Sequence, residues 1–160
     1  MKYIKIEPEV IVGLGEDTKI NKSNHPPIVK DLHINLEDWL GDDLMENFPV
    51  FIITEYLKSS LETTRFSGYT IKDLKLTFDE YFESNYQLEK KVPTFYWMVI
   101  NGAKGEDDFF IDQSQTLNIS VEAFSFMKKF NLKNAVFEGD SVSNEVDKIF
   151  EMFEKREKKS

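Results

Sequence analysis

The stretch Phe48-Pro-Val-Phe-Ile-Ile-Thr-Glu-Tyr-Leu-Lys-Ser-Ser-Leu61 constrains this chain more than any other. Val50-Phe-Ile-Ile53 is an unbroken run of apolar, strand-forming residues. Thr54 follows it directly and is a helix N-cap type, because its hydroxyl oxygen can accept a hydrogen bond from an otherwise orphan amide of the first turn. The expected unit is a buried strand feeding a helix. Tyr56, Leu57 and Leu61 fall at adjacent or i,i+4 positions, so the helix is expected to lay them as an apolar stripe on the sheet that the strand belongs to.

The last third of the chain repeats this logic. Leu117-Asn-Ile119 reads as a strand and Ser120 as a cap with Glu122 close behind; Ala123, Phe126, Met127 and Phe130 make a helical stripe ending at Asn131, before a strand at Ala135-Val-Phe137. In the first copy Gly68 is the expected helix stop, and Leu74, Leu76 and Phe78 alternate as the following strand. Duplication and convergence on good capping residues both account for the two copies. Between them, Pro93 opens Thr94-Phe-Tyr-Trp-Met-Val-Ile100, the most aromatic run in the chain and the candidate for a strand buried on both faces, which places Trp97 in the core. Asn101-Gly102 is a hairpin signal whose loop continues through Gly105 to Phe109-Phe-Ile111.

Tyr3-Ile-Lys-Ile6 alternates as a first strand, which Val10-Ile-Val12 can continue, and residues 13–27 read as a long loop. Within that loop Gly13-Leu14-Gly15 invites a dinucleotide reading, but Thr18 stands where the third glycine belongs and no helical pattern follows. Leu32, Ile34 and Leu36 alternate as a half-buried strand, Trp39 to Leu44 reads as a turn or short helical link, and Asp79 to Tyr86 as a helical turn turning Tyr81, Phe82 and Tyr86 inward. Ser143 can cap a helix with Val146, Ile149, Phe150 and Phe153 on one face. The expected fold is one α+β domain with a mainly antiparallel central sheet and two or three packing helices. Residues 1–31 supply a strand and the long loop, 32–153 the core, and 154–160 a charged, fraying tail.

With no cysteine, neither a disulfide framework nor a thiolate metal site can form. Charges interrupt the amino terminus too early for a signal peptide, and no apolar run reaches membrane-spanning length, so the expected compartment is the cytoplasm. A formal charge of −9 disfavours nucleic acid and anionic membranes as partners and favours a basic one. The acid residues gather in two segments. Glu37, Asp38, Asp42, Asp43 and Glu46 form one, and Glu106, Asp107, Asp108 and Asp112 the other. They can be a solvated face, a protein-binding surface, or carboxylate pairs for acid/base or calcium chemistry, although neither has the spacing of an EF-hand loop. His25 and His33 fit no zinc spacing and read as loop and strand-surface residues. No metal or cofactor is expected. The aromatic run at Phe95-Tyr-Trp97 lacks the basic flanks of a nucleic-acid platform.

Taken in order, Trp39-Leu-Gly-Asp-Asp-Leu44, Phe48 to Lys58, Pro93-Thr-Phe-Tyr-Trp97, Asn101-Gly102, Asp107-Asp-Phe109 and Leu117-Asn-Ile-Ser-Val121 resemble a bacterial family of small immunity proteins of polymorphic toxin systems. The resemblance spans Leu32 to Glu138. It implies an α+β fold, no enzymatic activity, and a function of binding and blocking a cognate toxin. If that toxin acts on nucleic acid, the acidic segments are where an inhibitor would meet its basic groove, and they are expected to be surface carboxylates. The competing expectation is a small hydrolase or isomerase built on a carboxylate pair from the two segments.

Overall fold

A computed structural model describes residues 1–11, 13–80, 82 and 92–137. The expected helix from Ser143, the tail from Glu154, and the Tyr81 and Tyr86 side chains fall outside the described residues. The chain is α+β and mostly strand, with two short helices among the described residues.

The single central sheet expected from the sequence is instead two main sheets and two ribbons. Strands β11 (Phe109–Ile111), β12 (Leu117–Ser120), β1 (Tyr3–Glu7) and β13 (Val136–Phe137) form a four-stranded sheet in that order. Strands β2 (Glu9–Val10), β6 (Leu44–Asn47), β7 (Val50–Thr54), β10 (Phe95–Ile100) and β8 (Tyr69–Lys72) form a five-stranded one. β3 (Lys19–Asn21) pairs with β4 (Ile28–Asp31), and β5 (His33–Leu36) with β9 (Lys75–Phe78). Most pairings are antiparallel, but β2–β6 and β5–β9 are parallel. The break between β1 and β2 comes at Pro8, which has no amide hydrogen for a ladder. Asn101-Gly102 opens no hairpin either: the loop carries the chain from β10 in one sheet to β11 in the other.

Both capped helices form as expected. Val50 to Thr54 are all buried, and α1 (Glu55–Leu61) follows with Thr54 Oγ1 accepting from Leu57 N at 3.3 Å. After β12 comes α2 (Val121–Met127), with Ser120 Oγ accepting from Ala123 N at 3.1 Å. Two turns of helix are too short to persist alone. They hold because Leu57, Leu61, Ala123, Phe124 and Met127 are buried in one cluster with Ile4, Ile6, Ile53, Met98, Leu117 and Ile119, the inner faces of both main sheets. Each such aliphatic side chain contributes about 1.5–3 kcal/mol on burial. Tyr56 departs from the expected stripe and is exposed, its ring against Phe130 at 5.1 Å. Gly68 is not the helix stop, since α1 ends at Leu61. At Gly68 φ is +102°, and a Cβ there would lie 2.2 Å from the Phe109 carbonyl oxygen.

The two strand–cap–helix units also stand in matching frames. β7 lies between β6 and β10, and β10 bonds β8; β12 lies between β11 and β1, and β1 bonds β13. The register corresponds, with Phe95 opposite Thr54 as Tyr3 is opposite Ser120, and Trp97 opposite Ile52 as Lys5 is opposite Asn118. Glu55 N donates to Thr94 O at 2.8 Å, and Val121 N to Lys2 O at 3.1 Å. β1 and β10 therefore hold equivalent places, each completing the sheet of the other half.

One difference between the frames, among the described residues, is which outer face a further layer covers. Beyond the five-stranded sheet, Met45, Ile52 and Trp97 are buried in a second cluster with Leu32, Ile34 and Leu36, so the β5 segment covers that outer face. His33, expected on a strand surface, is buried. Its Nδ1 accepts from Asp17 N at 3.2 Å and its Nε2 bonds Thr77 Oγ1 at 2.7 Å. The Gly13-Leu14-Gly15 segment lies along β5: Asn35 N donates to Gly13 O and Gly15 N to His33 O, both at 2.7 Å. A Cβ on Gly15 would come 2.2 Å from His33 Nδ1, so the glycine answers a close strand approach rather than a phosphate. No helix among the described residues is long and apolar enough to cross a membrane.

Candidate functional site

The acidic residues do not form the two solvated faces expected of them. Asp42 and Asp43 are buried. Asp42 Oδ2 accepts from Asn134 N and its Oδ1 from Asn134 Nδ2, both at 2.9 Å. Asp43 Oδ1 accepts from Thr54 Oγ1 at 2.6 Å and its Oδ2 from Asn131 N at 2.8 Å. Asp108 repeats the pattern in the other half, with Oδ1 accepting from Ser120 Oγ at 2.7 Å and Oδ2 from Ser67 N at 2.9 Å. An aspartate before the first strand of each hairpin thus fixes the hydroxyl that caps the following helix. The expectation that Asp42 and Asp43 are surface carboxylates is corrected. Buried charge demands hydrogen-bond donors, and these two have them.

The other acid residues vary. Asp38 is exposed and accepts from Trp39 N at 2.8 Å; Glu37 is half-buried; Glu106 is exposed. Asp107 Oδ2 accepts from Ala103 N at 2.8 Å, closing the loop before β11. Asp112 Oδ1 accepts from Ser114 N at 2.8 Å and Thr116 N at 3.1 Å, Oδ2 accepts from Asn118 Nδ2 at 2.9 Å, and Lys5 Nζ stands 3.6 Å away. Burial pushes the Asp112 pKa up, but the bonds from Asn118, Thr116 and Ser114 and the charge of Lys5 together hold it below the ordinary carboxylate value. Glu46 behaves oppositely: burial first, then the charge of Glu7, raises its pKa. Among the described residues no three His, Asp or Glu side chains gather closely enough to hold a metal ion.

Asp112 and Glu46 each line a cleft. The larger cleft, about 770 Å³, opens on the outer face of the four-stranded sheet, with Asp112, Lys5 and Asn118 in its lining. The Tyr3 ring meets Phe110 edge-on at 4.7 Å along one wall, and Tyr3 Oη donates to Asp107 O at 2.8 Å and accepts from Gly105 N at 2.7 Å, fastening the 102–107 loop beside it. A neighbouring cleft of about 440 Å³ holds Glu7 and Glu46 with Val10 and Phe48, and Ser114 borders both. Val10 and Phe48 are exposed.

The sequence carried one signal for this surface. Tyr3, Lys5 and Glu7 alternate with the buried Ile4 and Ile6, which puts the first three on one outward row of β1. Nothing local shows that Asn118 stands beside Lys5, because that neighbour is more than a hundred residues away in sequence. Compared with family models, with curated proteins and with solved structures, the chain matches none.

Proposed function

We propose that this chain is a non-catalytic, cytoplasmic binding protein that captures and neutralises a cognate bacterial toxin, acting as an immunity protein of a polymorphic toxin system. The observation that carries the reading is the cleft on the outer face of the four-stranded sheet, which no other layer covers among the described residues. At positions where the five-stranded sheet has Trp97, Ile52 and Met45 buried under another layer, this face has an exposed Lys5 beside buried Asn118 and Phe110, all three lining a 770 Å³ cleft. The acidic balance and the resemblance of the Trp39 to Val121 motifs to immunity proteins support it further. Asp42, Asp43, Asp107, Asp108 and Asp112 are bonded to donors of the chain, which leaves Glu46 in the smaller cleft and Asp38 and Glu106 at the surface as the acid residues most available to a partner.

The test is co-expression with the toxin domain encoded beside this chain, with growth and calorimetric binding as readouts. Rescue with a stable complex is the expected result; growth arrest with no heat of binding refutes the reading.

A carboxylate-dependent hydrolase or isomerase is the second reading. Glu46 favours it, since burial and then the charge of Glu7 keep its proton on to higher pH beside a cleft, as a general acid requires. Under that reading Glu46→Gln abolishes a turnover that the parent shows against a panel of small esters and amides.

A further inference from the structure

The two clefts meet at Ser114 and run along a single strand, β1. Its outward side chains, Tyr3, Lys5 and Glu7, change sign along the row, and each charge is doubled by a second element. Lys104 joins Lys5 in the larger cleft, where Asp112 Oδ2 stands 3.6 Å from Lys5 Nζ and leaves Lys104 as the cation to meet a partner's anion, while Glu46 joins Glu7 in the smaller one. The larger cleft is also lined by Asn118, only 5% exposed. Its amide nitrogen donates to Asp112 Oδ2 and to Thr116 O, which fixes the side chain's orientation. Its Oδ1 accepts no hydrogen bond among the described residues and is not sealed from solvent, which leaves an acceptor at the lining of the larger cleft that a ligand's N–H can reach in place of water.

We propose that this groove is a docking site for one extended segment of a partner protein. The segment carries a basic side chain that enters between Glu7 and Glu46 and, two residues away, a carboxylate that meets Lys104 beside Lys5. The spacing follows from the strand itself: side chains two apart share a face and stand about 7 Å from each other. A backbone or side-chain N–H of the same segment donates to Asn118 Oδ1. Val10 and Phe48 flank the acidic end with exposed apolar surface, which suits the aliphatic stem of a lysine or arginine. A basic side chain also answers the repulsion between Glu46 and Glu7, which no cation among the described residues offsets at Glu46. The proposal rests on the binding-protein reading and names the chemistry of the partner at its anchor point.

The test uses the full chain as bait for phage-displayed random dodecapeptides. The enriched peptides are then synthesised and titrated against the parent and against Glu7→Lys, Lys104→Glu and Asp73→Lys. Glu7 and Lys104 are exposed, so their reversal leaves the fold intact, and Asp73 lies outside both clefts. Enriched peptides are expected to pair a Lys or Arg with an Asp or Glu two residues away. Each groove reversal should weaken them by about tenfold or more, and Asp73→Lys should leave them unchanged. Peptides that lack the pattern, that bind the groove variants as well as the parent, or that fail to enrich at all overturn the proposal. A toxin bound equally by parent and groove variants also overturns the groove while leaving the binding-protein reading standing. Groove-dependent peptides together with a toxin that does not bind would instead uphold the groove and sink the immunity reading.

Discussion

Asp43 and Asn131 hold each other at both ends: Asp43 N donates to Asn131 O at 2.8 Å, and Asn131 N donates to Asp43 Oδ2, also at 2.8 Å. Asp108 and Ser67 form the same reciprocal pair in the opposite half, at 3.1 and 2.9 Å. In each case the aspartate belongs to one strand–helix unit and the backbone it grips follows the helix of the other. The carboxylates therefore tie the halves together while fixing Thr54 and Ser120 as caps, and this makes them structural rather than available to a ligand.

Replacing Asp43 with Ala should destabilise the fold by about 2–4 kcal/mol, because it strands the Thr54 hydroxyl and the Asn131 amide in a buried place. Chemical denaturation measures it. A loss below about 0.5 kcal/mol, the size of an ordinary surface effect, would show that the carboxylate is dispensable.

Equivalent positions in the two frames should respond unequally. Trp97→Ala removes a buried side chain and should cost about 3–5 kcal/mol, whereas Lys5→Ala, at the matching place on the open sheet, should cost under about 1 kcal/mol. Paired melting curves settle the comparison, and similar losses at both sites would contradict the assignment of one covered and one open face.

Glu9 predicts a pH dependence with a definite sign. It is buried, Oε1 accepts from Leu40 N at 3.1 Å, and Oε2 has no partner. Burial chiefly, and then the charges of Asp42 and Asp38, raise its pKa above 4.5. The folded chain therefore holds the Glu9 proton to higher pH than the unfolded chain does, and this group's contribution falls as pH rises from the ordinary carboxylate range through the folded pKa. Glu9→Gln keeps the acceptor for Leu40 and removes the charge. It should stabilise the protein at neutral pH, and the gain should shrink on acidification. A pH-independent difference would rule this out.

Thr77→Val tests the polar layer behind β5. The Thr77 hydroxyl bonds His33 Nε2 at 2.7 Å and donates to Asn35 Oδ1 at 2.9 Å, and Asn35 Nδ2 donates to Asp79 Oδ2 at 3.3 Å. Valine keeps the shape and strands a buried histidine, for an expected loss of about 1–3 kcal/mol. Denaturation midpoints of parent and variant report it, and unchanged stability would mean that another donor or acceptor takes over.

By itself the sequence determined what is local. Thr54 and Ser120 announce their helices because a cap acts within one turn, and the alternation at Tyr3 to Ile6 and the run at Phe95 to Ile100 announce strands because the side-chain period is set by the backbone. Even the burial of Trp97 was legible in its aromatic neighbours. Tertiary structure alone decided where those strands went. β1 and β10 complete each other's sheets through pairings that join Ile4 to Ile119 and Trp97 to Ile52, and no local propensity encodes a partner so distant. The acid residues show the same division. Asp42 and Asp43 read as surface charge because their donors, Thr54, Asn131 and Asn134, arrive from elsewhere in the chain, and a carboxylate's role is set by the donors that surround it once the chain is folded.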